Sequence, residues 1–440
     1  MSFGLLAGLI GMGLLVGLIA IRVPIAYAMA AVGIGGILTL SGPTVLLSQL
    51  KTLAYGTFSN YDLSVVPLFI LMGNIAGKAG LSQALFRAAN AWLGRLRGGV
   101  AMAAIAACAG FGAVSGSSLA TASTMGMVAL PELRRYRYSP ALATGTLAAG
   151  GVLGILIPPS VVLVVYAVIV EANIVTMFSA ALIPGLIAVA LFILVIAIYT
   201  AINPEAGPRG QRVERRELLT ASLGVIPVLV VFGLVIGGIY AGYFTPTPAA
   251  SIGVFLVLAY GAARRLVGLR DLVDAILGTA RTAGMIYLIV FGAELLKIFM
   301  SRGGVPQAAA DMMLNSGLEP YTVLILLLVA LIVLGCLMDS LSMILLATPF
   351  FWPVIAQLEF GMPLMDLKVW FGILALIVVE LGLITPPVGM NVFVINSLAR
   401  DVPMMDTFKG ALPFFLVELL RVALLIAFPG IVLFFPAWLG

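Results

Sequence analysis

Gly154-Ile155-Leu156-Ile157-Pro158-Pro159-Ser160 and Gly382-Leu383-Ile384-Thr385-Pro386-Pro387-Val388-Gly389-Met390-Asn391 are double-proline interruptions within long apolar runs. Proline lacks an N–H, and its ring clashes with the carbonyl four residues back, so each pair breaks a helix. Pro158-Pro159 is expected to free the carbonyls of Gly154 and Ile155, and Pro386-Pro387 those of Gly382 and Leu383. In hydrocarbon, unpaired backbone groups cost several kcal/mol each, so these oxygens need partners.

Upstream of each break lies an apolar segment that is itself interrupted. Residues 101–130 are broken by Gly112-Ala113-Val114-Ser115-Gly116-Ser117-Ser118, and residues 322–353 by Gly335, Asp339, Ser340 and Ser342. A limb of roughly 12 residues reaches about 18 Å, short of the ~30 Å hydrocarbon core. Each segment therefore reads as a re-entrant hairpin with a polar tip inside the membrane. Arg95 and Arg97 before the first hairpin, and Arg134 to Arg137 after it, put both its ends in the cytoplasm, whereas both ends of the second lie outside. Ser115 precedes Pro158 by 43 positions and Asp339 precedes Pro386 by 47. Two similar units thus enter from opposite faces, an inverted-topology repeat, and paired interruptions of this kind point to a transporter's binding site.

Composition fits this reading. Of 440 residues, 62% are hydrophobic and 9% charged, whereas a soluble domain carries about a quarter charged. The runs are continuous rather than alternating, so the expected fold is an all-α polytopic membrane protein with lipid around it. Met1 to Ala20 is apolar without a basic flank and reads as a retained span rather than a cleaved signal. There are no histidines, which removes most zinc chemistry, haem ligation and Ser–His catalysis. Cys108 and Cys336 sit in apolar stretches and read as packing residues. The net charge of +5 is too small to suggest nucleic-acid binding and fits basic cytoplasmic loops.

Those loops sort the topology. Arg209, Arg212, Arg215 and Arg216 form the richest cluster; Arg264, Arg265 and Arg270 form another, and Arg134, Arg135 and Arg137 a third. Placing all three inside satisfies the positive-inside rule. Both termini then lie in the periplasm, with Arg22, Arg400 and Lys409 inside and Glu171, Asn173, Arg302 and Lys368 outside. The expected organisation is scaffold helices over 1–60, a first repeat over 61–202 (hairpin 101–130, broken helix 141–170) and a basic linker over 203–218. Scaffold helices and an interfacial helix fill 219–282, and a second repeat 283–400 (hairpin 322–353, broken helix 369–397). A C-terminal helix occupies 401–440. The amphipathic stretches 79–97 and 266–282 read as interfacial helices.

The chemistry suits ion-coupled transport. Freed carbonyls, with Ser115, Ser117, Ser118, Thr385 and Asn391, offer oxygen ligands to a hard cation such as sodium. Helix N-termini near mid-membrane carry partial positive charge and favour an anion, which predicts a carboxylate cargo. Asp339 is the acid at a hairpin tip; an Asp at the bilayer centre costs roughly 2.5–3.5 kcal/mol, leaving cation ligand, hydrogen-bond anchor and proton carrier all open. Glu380 divides evenly between a site role and a buried structural acid. Glu294 with Lys297, and Glu418 with Arg421, stand at i,i+3 and read as structural pairs. A single Gly/Ser break or proline kink would be ordinary helix packing; two hairpins and two Pro-Pro breaks in matched order favour the functional reading.

Asp62-Leu63, Pro67-Leu68-Phe69-Ile70-Leu71-Met72-Gly73-Asn74, Ser115-Gly116-Ser117-Ser118, Ile157-Pro158-Pro159-Ser160 and Thr385-Pro386-Pro387-Val388-Gly389 together resemble the large membrane (M) subunit of TRAP (tripartite ATP-independent periplasmic) transporters of the C4-dicarboxylate/sialic-acid type. The likeness runs over essentially the whole chain in the family's order. It implies sodium-driven import of an organic acid delivered by a periplasmic binding protein, and a small four-helix membrane (Q) subunit as partner. It also implies an elevator-type motion of a transport domain against a scaffold. One sodium would lie at Ser115, Ser117, Gly154, Ile157 and Pro158, a second at Gly335, Asp339, Thr385 and Met390. Cargo would lie between the tips, near Ser117, Ser118, Ser160, Asp339, Ser340, Gly389 and Asn391. The chain departs from the family pattern at Pro248, which follows Thr245-Pro246-Thr247 where an acid is usual. It departs again at Val378, where an Asn is usual, and in a longer stretch from Gln357 to Lys368. Three other readings compete: a stand-alone sodium- or proton-coupled carrier working without a binding protein, a channel, and an intramembrane hydrolase. The last lacks a histidine, or a nearby lysine, to activate Ser115 or Ser117.

Overall fold

The computed structural model describes residues 2–210, 214–315 and 317–439, with the side chains of 310 and 313–315 left out; Arg212 of the basic cluster falls outside these. The chain is helical from end to end, and among the described residues there is no strand. The first half contains α1 (Phe3–Ala20), α2 (Ile25–Phe58), α3 (Val65–Lys78), α4 (Leu81–Leu93), α5 (Gly99–Ser115), α6 (Ser118–Arg135), α7 (Pro140–Leu156), α8 (Val161–Val170) and α9 (Ile174–Ile202). After the linker come α10 (Arg215–Phe232), which runs through a π-turn into α11 (Gly238–Tyr240), then α12 (Pro246–Ala263), α13 (Leu269–Gly303) and α14 (Val305–Asn315). The remainder is α15 (Pro320–Gly335), α16 (Ser340–Ile355), α17 (Leu364–Gly382), α18 (Met390–Leu398), α19 (Met404–Ala427) and α20 (Gly430–Leu439). Seven helices among the described residues are long and apolar enough to cross a membrane, which makes this a multi-pass membrane protein.

Several boundaries differ from expectation. The hairpin limbs α5 and α6 have 17 and 18 residues rather than roughly 12, because α5 runs through Gly112 to Ser115 and α6 continues through Pro131 to Arg135. At 1.5 Å per residue, 17 residues reach about 26 Å, closer to a full crossing than expected. The second broken helix starts at Leu364 rather than 369. The stretch 266–282 is no separate interfacial helix: it opens α13, which continues without interruption for 35 residues. The segment 401–440 holds two helices rather than one, since α19 ends before Pro429 and α20 follows it. Helix α2 bends at Gly42, where φ is +79°.

Loop contacts gather into two clusters. In one, the Gly98 N–H donates to the Gly207 carbonyl (2.9 Å), the Ser139 N–H to the Ala206 carbonyl (2.9 Å) and the Gly210 N–H to the Gly94 carbonyl (2.8 Å). Both ends of the α5–α6 hairpin therefore meet the same linker. Arg134 pairs with Asp401 in this cluster. In the other, Lys368 donates to the Glu171 carbonyl (3.2 Å), and the Tyr321 and Phe360 rings, which flank the α15–α16 hairpin, meet edge to face at 5.4 Å. The ends of the two hairpins therefore lie in separate loop clusters, the first of which holds Arg134 and Arg209. Away from the hairpins, Glu294 and Lys297 pair at 3.6 Å. Arg421 and Glu418 pair while fully buried, the guanidinium also donating to the Pro184 carbonyl at 2.7 Å. Both i,i+3 pairs are as expected.

Candidate functional site

At the first hairpin tip, α5 ends at Ser115 and the chain reverses through Gly116, where φ is +61°. That left-handed conformation costs glycine little. Ser117 then opens α6 as its N-cap, accepting from the Ala120 N–H at 3.4 Å. The tip lies directly against the first break, since a Cβ on Gly116 would stand 2.9 Å from the Pro159 carbonyl oxygen. One on Gly154 would stand 2.6 Å from the Ser117 carbonyl oxygen, so both glycines serve close backbone approach. Ser115 Oγ and Thr121 Oγ1 are 2.9 Å apart. Ser115, Ser117, Gly154 and Pro158 are thus brought to one junction with Ile157. Thr121, which sequence reasoning passed over, joins them; its signal was a hydroxyl four residues after Ser117, one helical turn into the second limb.

The second junction repeats the plan. Helix α15 ends at Gly335, and Asp339 opens α16 as its N-cap, its carboxylate accepting from the Ser342 N–H at 3.1 Å. A Cβ on Gly382 would stand 2.7 Å from Gly335 Cα, and the Gly389 N–H reaches the Cys336 carbonyl at 3.4 Å. Both double prolines contain a cis bond. The break spans residues 157–160 in the first repeat and 383–389 in the second. In the longer break the carbonyls expected to be free are in use. Gly382 accepts from the Thr385 N–H at 3.1 Å and Leu383 from the Asn391 N–H at 3.0 Å, because seven residues suffice for the chain to fold back on itself. Thr385 Oγ1 donates to the Leu381 carbonyl at 2.6 Å.

Between the junctions lies a buried polar seam. Glu380 on α17 is fully buried, and its Oε1 accepts from Ser340 Oγ, the first residue of α16, and from Ser118 Oγ, the first residue of α6, at 3.4 Å. Its Oε2 has no hydrogen-bond partner among the described residues. Asn391 on α18 donates to the Ala148 carbonyl of α7 at 3.3 Å, a second tie between the repeats, while its Oδ1 has no partner among the described residues. Ser118, Ser160, Ser340 and Asn391 are all buried, and Ser160 caps α8 by accepting from the Leu163 N–H at 3.3 Å. Asp339 and Met390 are half-buried and Gly389 is buried, while Pro386, Pro387 and Val388 before it are exposed.

A cavity of about 470 Å³ lies beside the first tip, lined by Ser115, Ser117 and Thr124 together with Asn74, Lys78 and Gln83. Lys78 there meets Asp271 at 3.2 Å and Asp274 at 3.4 Å. Among the described residues no three His, Cys, Asp or Glu side chains cluster as ligands for a metal ion. The oxygens gathered at the two junctions are hydroxyls, backbone carbonyls and the Asp339 carboxylate.

The polar groups of this multi-pass helical chain converge on two paired helix interruptions, the arrangement from which transporter binding sites are built. Residues 12–431 match the family described as Tripartite ATP-independent periplasmic transporter, DctM component, and the chain belongs to that family. It is 34% identical over 411 residues to the C4-dicarboxylate TRAP transporter large permease protein DctM of Pseudomonas aeruginosa, covering 92% of this chain and 94% of that one. It is 29% identical to the sialic acid TRAP transporter large permease protein SiaM of Vibrio cholerae, covering 96% of each. Among solved structures, the Alcanivorax borkumensis YdaH transporter superposes with a TM-score of 0.62 at 15% identity, covering 88% of this chain and 89% of that one. That likeness is one of fold.

Proposed function

We propose that this chain is the membrane subunit of a secondary active transporter that imports an organic acid by sodium symport. The carrying observation is the doubled junction: two hairpin tips, each seated on a Pro-Pro helix break, start from separate loop clusters and meet at Glu380. Sodium is the cargo ion that fits oxygen-only donors. Ser115, Ser117, Thr121 and the backbone of 154–158 would hold one ion. Gly335, Asp339, Thr385 and Met390 would hold a second. Because the Gly382 and Leu383 carbonyls already accept backbone N–H groups, the second site relies more on the Asp339 side chain and the carbonyls of Gly335, Leu337 and Met338. The acid binds between the tips, where the N-termini of α6 and α16 favour negative charge.

The basic loops lie in the cytoplasm, which places both termini in the periplasm and the chain in a bacterial inner membrane. On that orientation the hairpins re-enter the membrane from either side. The hairpins and broken helices then form a transport domain that moves as an elevator against a scaffold in which α13 lies along α2. A periplasmic binding protein delivers the acid, and a small four-helix membrane subunit covers part of the scaffold; family membership supports both partners.

The test is uptake of a labelled C4-dicarboxylate and of sialic acid into proteoliposomes holding this chain with its small subunit and its binding protein. Accumulation is expected under an inward sodium gradient and is lost in choline or without the binding protein. Equal uptake in choline refutes sodium coupling; full uptake without the binding protein favours a stand-alone carrier.

A further inference from the structure

Two acids among the described residues are fully buried, and they are treated differently. Glu418 has a cation beside it, Arg421, which also satisfies the Pro184 carbonyl. Glu380 has no cation within hydrogen-bond reach among the described residues; its partners are two hydroxyls, Ser118 and Ser340. Burying a carboxylate without a counter-charge is costly, and an apolar side chain of similar size would fill the same space without that cost. What an apolar side chain could not supply is the oxygen that two donors share. The donors belong to the first residues of α6 and α16, the returning limbs of the two hairpins, 222 positions apart in sequence. One oxygen on the broken helix of the second repeat thus contacts both tips at once.

We propose that Glu380 is a positioning residue that locks the two hairpin tips to each other, so that the cargo pocket between them forms as one unit. This rests on the transport reading for its functional consequence, but the lock itself does not. With Glu380 in place, the spacing of the tips is set by a side chain rather than by cargo, and the acid meets a pocket already assembled. Without it, the hydroxyls of Ser118 and Ser340 lose their shared acceptor, the tips separate, and binding must first bring them together.

The experiment uses the full chain, as wild type, Glu380→Leu and Glu380→Gln, in two measurements. Amide hydrogen exchange on purified protein reads local opening. In Glu380→Leu, exchange over 112–121 and over 335–343 is expected to quicken together, while Glu380→Gln, whose carboxamide oxygen still accepts from both serines, stays near wild type. In uptake, Glu380→Leu raises the half-saturating cargo concentration roughly tenfold, equivalent to about 1.4 kcal/mol of binding free energy, while the maximal rate per inserted molecule changes little; Glu380→Gln recovers most of the affinity. Unchanged exchange at either tip in Glu380→Leu, or equal acceleration in both variants, overturns the lock. Should Glu380→Leu fail to reach the membrane, Ser118→Ala/Ser340→Ala removes the donors instead; wild-type exchange at both tips then overturns it. If both tips loosen yet even the wild type shows no sodium-dependent uptake, the lock stands and the transport reading falls.

Discussion

The two tip–break junctions share a backbone plan and differ in how they are filled. The first is neutral, built from Ser115, Ser117, Thr121 and Ser160 around a break of four residues, 157–160. The second is acidic, with Asp339 capping α16 and Glu380 behind it, around a break of seven residues, 383–389. The longer break uses its own carbonyls in backbone hydrogen bonds, and Asp339 is the charged side chain beside it. The lesson is that an inverted repeat conserves geometry through glycine contacts and proline breaks, while the side chains that dress it can divide the labour.

That comparison can be broken most forcefully at the glycines. Gly154→Val and Gly382→Val each drive a side chain into the backbone of the opposing tip, so overpacking should cost about 1–3 kcal/mol and abolish uptake in both. If one is tolerated, as judged by thermal unfolding and transport, the junctions are not equivalent in packing. A smaller effect is expected from Asp339→Asn. Asparagine caps a helix about as well as aspartate, so folding is retained. Losing the charge should raise the half-saturating sodium concentration by roughly tenfold, about 1.4 kcal/mol. An unchanged sodium dependence would reduce Asp339 to its capping role. The smallest is Thr121→Val, which removes the hydroxyl that bonds Ser115 at the neutral junction. A lost hydrogen bond of this kind is worth about 1 kcal/mol, visible as a roughly fivefold weaker sodium response with cargo affinity preserved. A change in cargo affinity alone would move Thr121 out of the ion site and into the cargo pocket.

Much of this architecture is legible from residues 101–160 and 322–391 because its signals are local. Pro158-Pro159 and Pro386-Pro387 stop helices wherever they stand, and Gly116 or Asp339 marks a turn or cap within a few residues. The i,i+3 pairs Glu294–Lys297 and Glu418–Arg421 are equally local, and both form. What escaped reading depends on distance. Glu380 contacts Ser118 across the whole molecule, and no periodicity announces that meeting. The Gly382 and Leu383 carbonyls looked free because the proline rule counts four residues back, whereas the loop geometry that lets Thr385 and Asn391 reach them is set by break length. The charges of 266–282 suggested a separate surface helix, yet no proline follows them and the helix that starts at Leu269 runs on through Gly278 and Gly284 into the apolar part of α13.

Binding of radiolabelled sodium to the purified chain tests the central claim most directly. Saturable uptake of two ions per molecule is expected, falling to one in Ser115→Ala/Thr121→Val and to one in Asp339→Asn/Thr385→Val. Sodium binding that is absent, or that survives both pairs of substitutions intact, would contradict the account.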